Sequence, residues 1–323
     1  MKIRNILLAS VAVLFCTASI SATTIAHTWV SGSGSDTNAC TFASPCATFQ
    51  GALTNTSAGG IITAKDAGDF GPVIINKSVT IDGANMGSIT SASGNGIAVT
   101  ASANVTVQNL NINGLGSATI GINIANGGIV IVDNCRIMNI TADGIYFAGA
   151  GNLTVENSRI ESFIGIGVFG IAIVNNAAEN VVVRNTVIDA SPILNSNYGF
   201  FVYLGTGHVQ ASLQNVTILG AGNAAILAWS GVIEITGSVL SQSSYGVYAF
   251  MGATVSVASS LITANLAGVC TGTLSKIRLD NNDIYDNTTA IADCGGTVKT
   301  STTNKTSGTI AIPAADVSES VTF

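Results

Sequence analysis

Five charged side chains occupy related positions in a repeated sequence motif, and they are the residues best suited to binding or catalysis. They are Asp133, Arg136, Glu156, Arg159 and Arg184. Because only 9% of the chain is Asp, Glu, Lys or Arg, this concentration of both signs stands out. Guanidinium groups bind carboxylates in a forked geometry, so one patch of this kind is a candidate site for an acidic sugar. The structural alternative is a ladder of surface salt bridges, each contributing about 0–1 kcal/mol.

The phrase that positions these residues is a strand, a small or amide turn residue, and a second strand. Its first copies span 105–112, 130–137, 153–160 and 181–188, and four more follow. The turn residues are Asn109, Asn134, Asn157, Asn185, Asn215, Gly237, Ser259 and Asn281. Stacked Asn amides tolerate left-handed backbone angles and hydrogen-bond to one another, so we expect a structural turn ladder.

A second strand phrase precedes each copy and begins at a small residue. Its members start at Gly96, Gly121, Gly144, Gly167, Gly199, Ala225, Gly246 and Gly268. Apolar residues alternate within the strands, and no helical segment lies between them, so a βαβ unit and a helical solenoid do not fit. The repeat therefore predicts a parallel β-solenoid. Its predicted inward column is Val107, Val132, Val155, Val183, Leu213, Ile235, Val257 and Leu279.

The repeat and the segment before it resemble the right-handed parallel β-helix, or pectin-lyase-like, superfamily. The N-terminal part of the resemblance runs through residues 35–38, 44–50, 58–63, 68–70 and 75–83. The resemblance implies an all-β, single-stranded right-handed parallel β-helix with a short N-terminal capping helix. Local sequence agrees, because Ser44 precedes Pro45 at a predicted first turn while Phe49 and Leu53 share an apolar face.

The N-terminal residues predict export. Lys2 and Arg4 precede an apolar run and the small pair Ser21 and Ala22, which is the layout of a secretory signal. The expected division is signal 1–22, cap 23–59, β-helix 60–295 and tail 296–323, with an extracellular, periplasmic or cell-surface location. Removal of the signal leaves nine basic against seventeen acidic residues, which disfavours nucleic acid as a partner. No later segment is apolar for long enough to span a membrane.

Five cysteines remain after that cleavage. Cys40 and Cys46 lie in the cap, and Cys270 and Cys294 are about one coil apart, so we expect these two disulfides. Cys135 follows a turn residue within the repeat and is expected to be free and buried, as a small hydrophobe.

The sequence is compatible with two functions. The charge-poor sequence favours a non-catalytic recognition or structural scaffold that binds polysaccharide or a cell-surface glycan. The alternative is a polysaccharide lyase or glycoside hydrolase, which the resemblance allows. Lyases of the superfamily combine a calcium-holding carboxylate cluster with an Arg or Lys base, and its hydrolases use several Asp residues of adjacent coils. We therefore expect no cofactor and no metal, with calcium only under the lyase alternative.

Overall fold

The computed structural model describes residues 25–163, 165, 168–175, 179–191, 197–204 and 209–311. The predicted signal segment, residues 1–22, lies outside the described residues, as does the end of the predicted tail from residue 312. Among the described residues, no helix is long and apolar enough to cross a membrane. They contain one helix, α1 (Phe49–Asn55), together with a long succession of short strands.

The strands of the first half, in chain order, are β1 (Ile25–Val30), β2 (Thr56–Ala64), β3 (Gly68–Asp69), β4 (Val73–Ile75), β5 (Val79–Asp82), β6 (Gly87–Thr90), β7 (Asn95–Val99), β8 (Val105–Gln108), β9 (Asn111–Asn113), β10 (Ile120–Ile124), β11 (Ile129–Asp133), β12 (Arg136–Ile140), β13 (Ile145–Phe147), β14 (Asn152–Glu156), β15 (Arg159–Phe163), β16 (Phe169–Asn175) and β17 (Glu179–Arg184). Those of the second half are β18 (Val187–Asp189), β19 (Tyr198–Leu204), β20 (Val209–Gln214), β21 (Thr217–Leu219), β22 (Ala224–Ala228), β23 (Val232–Thr236), β24 (Val239–Ser241), β25 (Tyr245–Ala249), β26 (Thr254–Ala258), β27 (Leu261–Thr263), β28 (Ala267–Gly272), β29 (Lys276–Asp280), β30 (Asp283–Tyr285), β31 (Thr289–Cys294), β32 (Thr297–Thr300), β33 (Lys305–Thr306) and β34 (Thr309–Ile310).

The strands form three long parallel sheets, and each regular coil contributes one strand to each sheet. Sheet A has the order β1-β2-β5-β8-β11-β14-β17-β20-β23-β26-β29-β32. Sheet B runs β3-β6-β9-β12-β15-β18-β21-β24-β27-β30-β33, and sheet C runs β4-β7-β10-β13-β16-β19-β22-β25-β28-β31-β34. The chain is thus a parallel β-solenoid, as the repeat predicts. The strand–turn–strand phrase supplies sheets A and B, and the phrase that begins at a small residue supplies sheet C.

Aligned apolar side chains fill the interior. The predicted inward column on sheet A is confirmed, since all eight of its residues have no exposed surface. Sheet B adds a matching column that includes Ile112, Ile137 and Ile160, each of them fully buried. Burying one such side chain stabilises the fold by about 1.5–3 kcal/mol, so the repeated columns are its main source of stability.

The turn between sheets A and B carries the predicted ladder. The eight turn residues, from Asn109 to Asn281, all have φ between 49° and 57°. Asn134 Nδ2 donates to Asn109 Oδ1 at 2.8 Å, and Asn215 Nδ2 donates to Asn185 Oδ1 at 2.9 Å. Asn157 departs from this pattern by donating to Asp133 Oδ1 at 2.8 Å. The amide column is therefore structural.

Sheet C corrects one member of the glycine column. A Cβ on Gly121 would lie 2.5 Å from the carbonyl oxygen of Gly144, and one on Gly144 would lie 2.6 Å from that of Gly170. Ile145 pairs with Ile171, so Gly170 is the repeat glycine of its coil. The assignment of that place to Gly167, which lies outside the described residues, is wrong. Several glycines follow one another here, and only the strand register distinguishes them.

The cysteines pair as the sequence predicts. Cys40 is bonded to Cys46 and Cys270 to Cys294, while Cys135 is free and buried. The Cys135 thiol accepts a hydrogen bond from the backbone of Leu110. Ser158 Oγ fills the same role one coil later, where it accepts from the Cys135 N–H at 3.1 Å. These hydrogen bonds make Cys135 a member of a ladder between coils. Burial raises the pKa of its thiol to about 12, so Cys135 is also a poor nucleophile.

Both ends of the solenoid differ in detail from expectation. Helix α1 begins at Phe49 and not near Pro45, because Thr48 accepts the Gly51 N–H at 2.9 Å as its N-cap. Phe49 and Leu53 are buried, as predicted. Within the predicted tail, β32 pairs with β29 and β33 pairs with β30, so strand pairing continues beyond residue 295.

Candidate binding face

The five predicted charged residues lie on two sheets. Asp133 and Glu156 are register partners on sheet A, and Glu156 is in turn paired with Arg184. Arg136 and Arg159 are register partners on sheet B. The turn ladder separates the two groups, and no ion pair of the described residues joins them.

The sheet B group includes two carboxylates that are not among the five predicted residues. Arg136 Nε donates to Glu161 Oε1 at 2.6 Å, and Arg159 pairs with the other oxygen of Glu161. Arg159 also reaches Asp189 Oδ2 at 2.9 Å. Burial opposes ionisation of Glu161, but the hydrogen bonds from Arg159 and Arg136 hold its pKa below the usual value. Two cations and two anions therefore form a closed cluster.

On sheet A, one arginine is likewise matched to a carboxylate. Arg184 Nε donates to Glu156 Oε2 at 2.6 Å, and this hydrogen bond raises the pKa of the guanidinium. Asp133 accepts from the Asn157 amide of the ladder. An anionic ligand would have to displace an intramolecular carboxylate at either cluster, so both resemble salt-bridge ladders more than open anion sites.

A shallow polar groove borders one of these residues. It has a volume of about 460 Å³ and runs along the turn ladder past Asn109, Asn134 and Arg136. Asn111 Oδ1 is buried there without a hydrogen-bond partner. This groove is the part of the predicted charged region with room for a small polar group.

A different surface, the outer side of sheet C, carries an array of aromatic rings. We call it the aromatic face, and it comprises Phe169, Tyr198, Phe201, Tyr203, Trp229, Tyr245, Tyr248 and Phe250. With Ala172, Ala224 and Leu227 these rings pack as a cluster separate from the interior core. They lie on or directly after four adjacent strands, β16, β19, β22 and β25, and so cover about 14 Å along the solenoid.

The rings contact one another in sequence along the face. Phe169 stacks on Phe201 at a centroid distance of 4.3 Å, and Tyr203 meets Trp229 edge to face at 5.0 Å. Trp229 continues to Phe250 at 6.2 Å. Phe201 is only 8% exposed and forms the floor, whereas Tyr203 is 40% exposed. The neighbouring rings immobilise one another and leave a ribbed apolar surface toward solvent.

Polar groups border this surface. Asn223 Nδ2 donates to the Tyr198 hydroxyl at 2.8 Å. Asp143 lies at the start of the adjoining coil, where its carboxylate accepts the Phe169 N–H at 3.1 Å. Burial raises the pKa of Asp143 to about 6. Apolar rings with a few fixed polar groups at the margin are typical of ligand-binding surfaces.

The aromatic face is not among the sites predicted from the sequence, although the sequence contains a signal for it. Phe201 and Tyr248 each occur two residues after a repeat glycine, which places them on the side of sheet C opposite to the interior. The predicted candidates are charged residues on the strands beside the turn ladder, whereas these rings belong to the strands that begin at a small residue.

The remaining titratable candidates do not assemble into a metal site within the described residues. No three His, Cys, Asp or Glu side chains of that part of the chain are placed to hold a metal ion. His27 lies on β1, where it bonds to Thr63 and stacks on Trp29 at 4.3 Å. His208 lies outside the described residues.

Comparisons with known proteins concern the fold. The family described as right handed beta helix region matches residues 62–212. No curated protein is significantly similar in sequence. The structure of ORF18 of Geobacillus virus E2 aligns with a TM-score of 0.50 and 12% identity, over 78% of this chain and 56% of that one. The present chain thus spans a little over half the length of the viral protein.

Two polysaccharide lyases have lower structural scores. Pectate lyase Pel9A aligns at a TM-score of 0.49 and 14% identity, over 91% of this chain and 83% of the lyase. A rhamnogalacturonan lyase aligns at 0.42 and 12%, over 92% and 89%. The family match covers the coils that carry the charged clusters and the first strands of the aromatic face. The match covers a little under half of the chain, and the three parallel sheets show that the described residues fold as a parallel β-helix.

Proposed function

We propose that this chain is an exported, non-catalytic glycan-recognition protein and that the aromatic face of sheet C is its sugar-contacting surface. The observation that carries the proposal is the set of eight rings, held against each other over four coils and open on the solvent side. Polysaccharide or a cell-surface glycan is the partner, as the sequence suggested, but the contact surface differs from the charged patch proposed there.

The chemistry of the rings suits a carbohydrate. An aromatic ring has a negative face, and the C–H groups of a pyranose present a weakly positive, apolar side that stacks on it. Hydroxyl groups at the rim of the sugar then need hydrogen-bond partners, which Tyr198, Asn223 and Asp143 offer at the margin. Rings that are already packed lose little conformational entropy when a ligand binds, which favours affinity.

Export is part of the proposal. The basic residues and apolar run of the first 22 residues support a signal peptide, and two disulfides support an oxidising compartment. The mature protein would then begin near residue 23, with a cap, the β-helix and the C-terminal segment.

Tryptophan fluorescence offers a direct test, because the chain has only two tryptophans. In a Trp29→Phe background, Trp229 on the aromatic face is the sole reporter. Titration with a panel of neutral and acidic polysaccharides is expected to change its emission for at least one of them. Tyr203→Ala should then weaken that binding about tenfold, as loss of a central aromatic contact does.

A matched control is Phe42→Ala. Phe42 is 57% exposed and packs against Trp29, far along the chain from the aromatic face. Its replacement should leave glycan affinity unchanged. Equal losses for Phe42→Ala and Tyr203→Ala, or no affinity for any glycan in the panel, would contradict the proposal.

The alternative function, a lyase or hydrolase, is favoured by one observation. Asp143 combines a buried carboxyl group of raised pKa with a place at the border of the aromatic face, which are properties of a general acid. If this function holds, the protein releases reducing or unsaturated ends from some polysaccharide, with or without calcium, and Asp143→Asn abolishes the release. Glycan binding without any release of ends excludes it.

A further inference from the structure

The rings of the aromatic face form a row along the solenoid axis. Phe169 lies 4.3 Å from Phe201, measured between ring centroids. Trp229 follows at 6.0 Å from Phe201, and Phe250 at 6.2 Å from Trp229. These four rings lie on or directly after β16, β19, β22 and β25, so each contact advances the row by one coil. The apolar surface therefore repeats in the direction across the strands.

The period of this row is close to that of a straight sugar chain. Neighbouring strands of a sheet are about 4.8 Å apart, which is the distance from one coil to the next. One pyranose unit of an extended, β-1,4-linked chain has nearly the same length. Such a chain, laid parallel to the solenoid axis, keeps one sugar unit against each coil that carries a ring. A curved glycan, such as an α-1,4-linked chain, soon loses this correspondence.

The strands beneath the row carry no charged side chain. They contain no Asp, Glu, Lys or Arg, and they comprise residues 169–175, 198–204, 224–228 and 245–249. Burial raises the pKa of the Tyr198 and Tyr248 hydroxyl groups, which therefore stay uncharged at neutral pH. Asp143, at the border of the face, is negative above its pKa of about 6 and would repel an anion. A sugar carboxylate thus finds no cation on these strands, and the face is matched to a neutral glycan.

The length of the row limits how many sugar units it can contact. On its C-terminal side, the register partner of Tyr248 is Cys270, which is bonded to Cys294, so the rings end at β25. On its N-terminal side, Tyr146 of β13 packs against Ala172 and continues the apolar surface by one coil. The strands from β13 to β25 are adjacent members of sheet C and offer room for four to five sugar units.

We infer that the aromatic face binds a neutral, extended β-1,4-linked polysaccharide whose chain runs parallel to the solenoid axis. The inference rests on the proposed glycan recognition, to which it adds the class of sugar and the direction of the chain. The apolar sides of successive sugar units contact successive rings. Asn223 donates to the Tyr198 oxygen at 2.8 Å, so the Tyr198 O–H can be directed to a sugar hydroxyl. A chain laid along one strand would use the rings of β19 alone and would not need Phe169 or Phe250.

Calorimetric titration of the full chain with oligosaccharides of defined length tests this inference. The probes are β-1,4-linked oligomers of glucose, xylose and N-acetylglucosamine, from the disaccharide to the hexasaccharide. For at least one series, affinity is expected to rise about tenfold from the disaccharide to the pentasaccharide and then to level off, since each further ring contact adds to the binding. Added salt should leave this affinity unchanged, because no charges are paired. Oligogalacturonates and α-1,4-linked glucose oligomers of equal length should bind about tenfold more weakly.

Variants at the two ends of the row test the direction of the chain. Phe250→Ala removes the ring of the last coil and should lower the affinity for the pentasaccharide about fivefold. It should leave the affinity for the disaccharide unchanged, because a disaccharide can bind to the remaining coils. Phe169→Ala, at the other end, is expected to act in the same way. Tyr285→Ala is the matched control, since Tyr285 is half-buried on the outer side of sheet B, and it should change neither affinity.

The outcomes separate this inference from the proposed function. Absence of binding by every glycan contradicts both. Tighter binding of oligogalacturonates than of the neutral oligomers, or an affinity that does not depend on oligomer length, overturns the inference alone and leaves glycan recognition in place. The same holds if Phe169→Ala and Phe250→Ala both bind the pentasaccharide as tightly as wild type does, because the chain would then not cross the coils.

Discussion

The two arginine clusters and the aromatic face occupy the same solenoid but offer very different surfaces to a ligand. Arg136, Arg159 and Arg184 each find a carboxylate within the protein, so their charges are already matched. The rings of the aromatic face contact one another edge to face or by stacking, and one side of the array remains open. The arginine clusters stand out in the sequence because charged residues are scarce. The aromatic face nevertheless leaves more surface free to contact a ligand.

The number of functional groups on a surface is therefore a poor guide to how many of them are free to bind a ligand. A buried carboxylate such as Glu161 is almost necessarily paired, because an unpaired buried charge is strongly unfavourable. An apolar array has no such requirement, and its outer side stays exposed unless something covers it. Four predictions sharpen this contrast.

The largest effect should come from the interior that both surfaces share. Val155 has no exposed surface, and Val155→Asp would bury an unpaired charge between neighbouring coils. We expect a loss of about 4 kcal/mol or more in the free energy of unfolding, measured by denaturant titration, with loss of glycan binding. Thr154→Asp is the control, because Thr154 points outward on the same strand. If Val155→Asp were as stable as Thr154→Asp, the inward column would be misassigned.

Next in size is a pH effect at the border of the aromatic face. Burial raises the pKa of Asp143 from 3.8 to about 6, so the folded state binds its proton more tightly than the unfolded chain does. Stability contributed by this group is therefore present below pH 4 and is lost as pH rises through 6. Asp143→Asn should gain about 2–3 kcal/mol relative to wild type between pH 4 and pH 7. A stability difference independent of pH would show that Asp143 is not buried as described.

Glu161 in the arginine cluster should respond to pH in the opposite direction. Its pKa is lowered, despite burial, by the hydrogen bonds from Arg159 and Arg136. The stability it contributes is present above its unfolded pKa and is lost as pH falls through the lower folded value. Glu161→Gln should destabilise the fold by about 1–2 kcal/mol at pH 7, and the difference from wild type should shrink in acid. Calorimetry at several pH values distinguishes the two groups.

The smallest effects should come from the exposed arginines. Arg136→Ala and Arg159→Ala are each expected to change stability by at most about 1 kcal/mol and to leave glycan affinity unaltered. Titration of both variants with the glycan that wild type binds is the measurement. Weaker binding by either variant, together with sensitivity to salt, would move the site from the aromatic face to the charged clusters or the groove beside Arg136.

Much of the fold could be predicted because its rules are local and repeated. The strand phrase predicts the inward column, and the amide at its turn predicts the ladder from Asn109 to Asn281. The pairing of Cys270 with Cys294 follows from a separation close to one coil. The misplaced glycine at 167 shows the limit of such reasoning, because spacing alone does not fix register where several glycines adjoin.

The candidate site was less accessible to sequence reasoning, since it depends on which side chains meet across coils. Glu161 and Asp189 are separated from Arg136 by many residues, and only stacking of the coils brings the three into one cluster with Arg159. The aromatic rings come from four strands, and their contacts depend on register in sheet C.

The sequence by itself determined the solenoid, its interior and its turn ladder, because alternation and period are properties of a single strand and its neighbour along the chain. The tertiary structure decided which charges neutralise each other and which rings form a surface. Those outcomes depend on contacts between residues about one coil apart or more, and a shift of one residue in register would send each side chain to the other face.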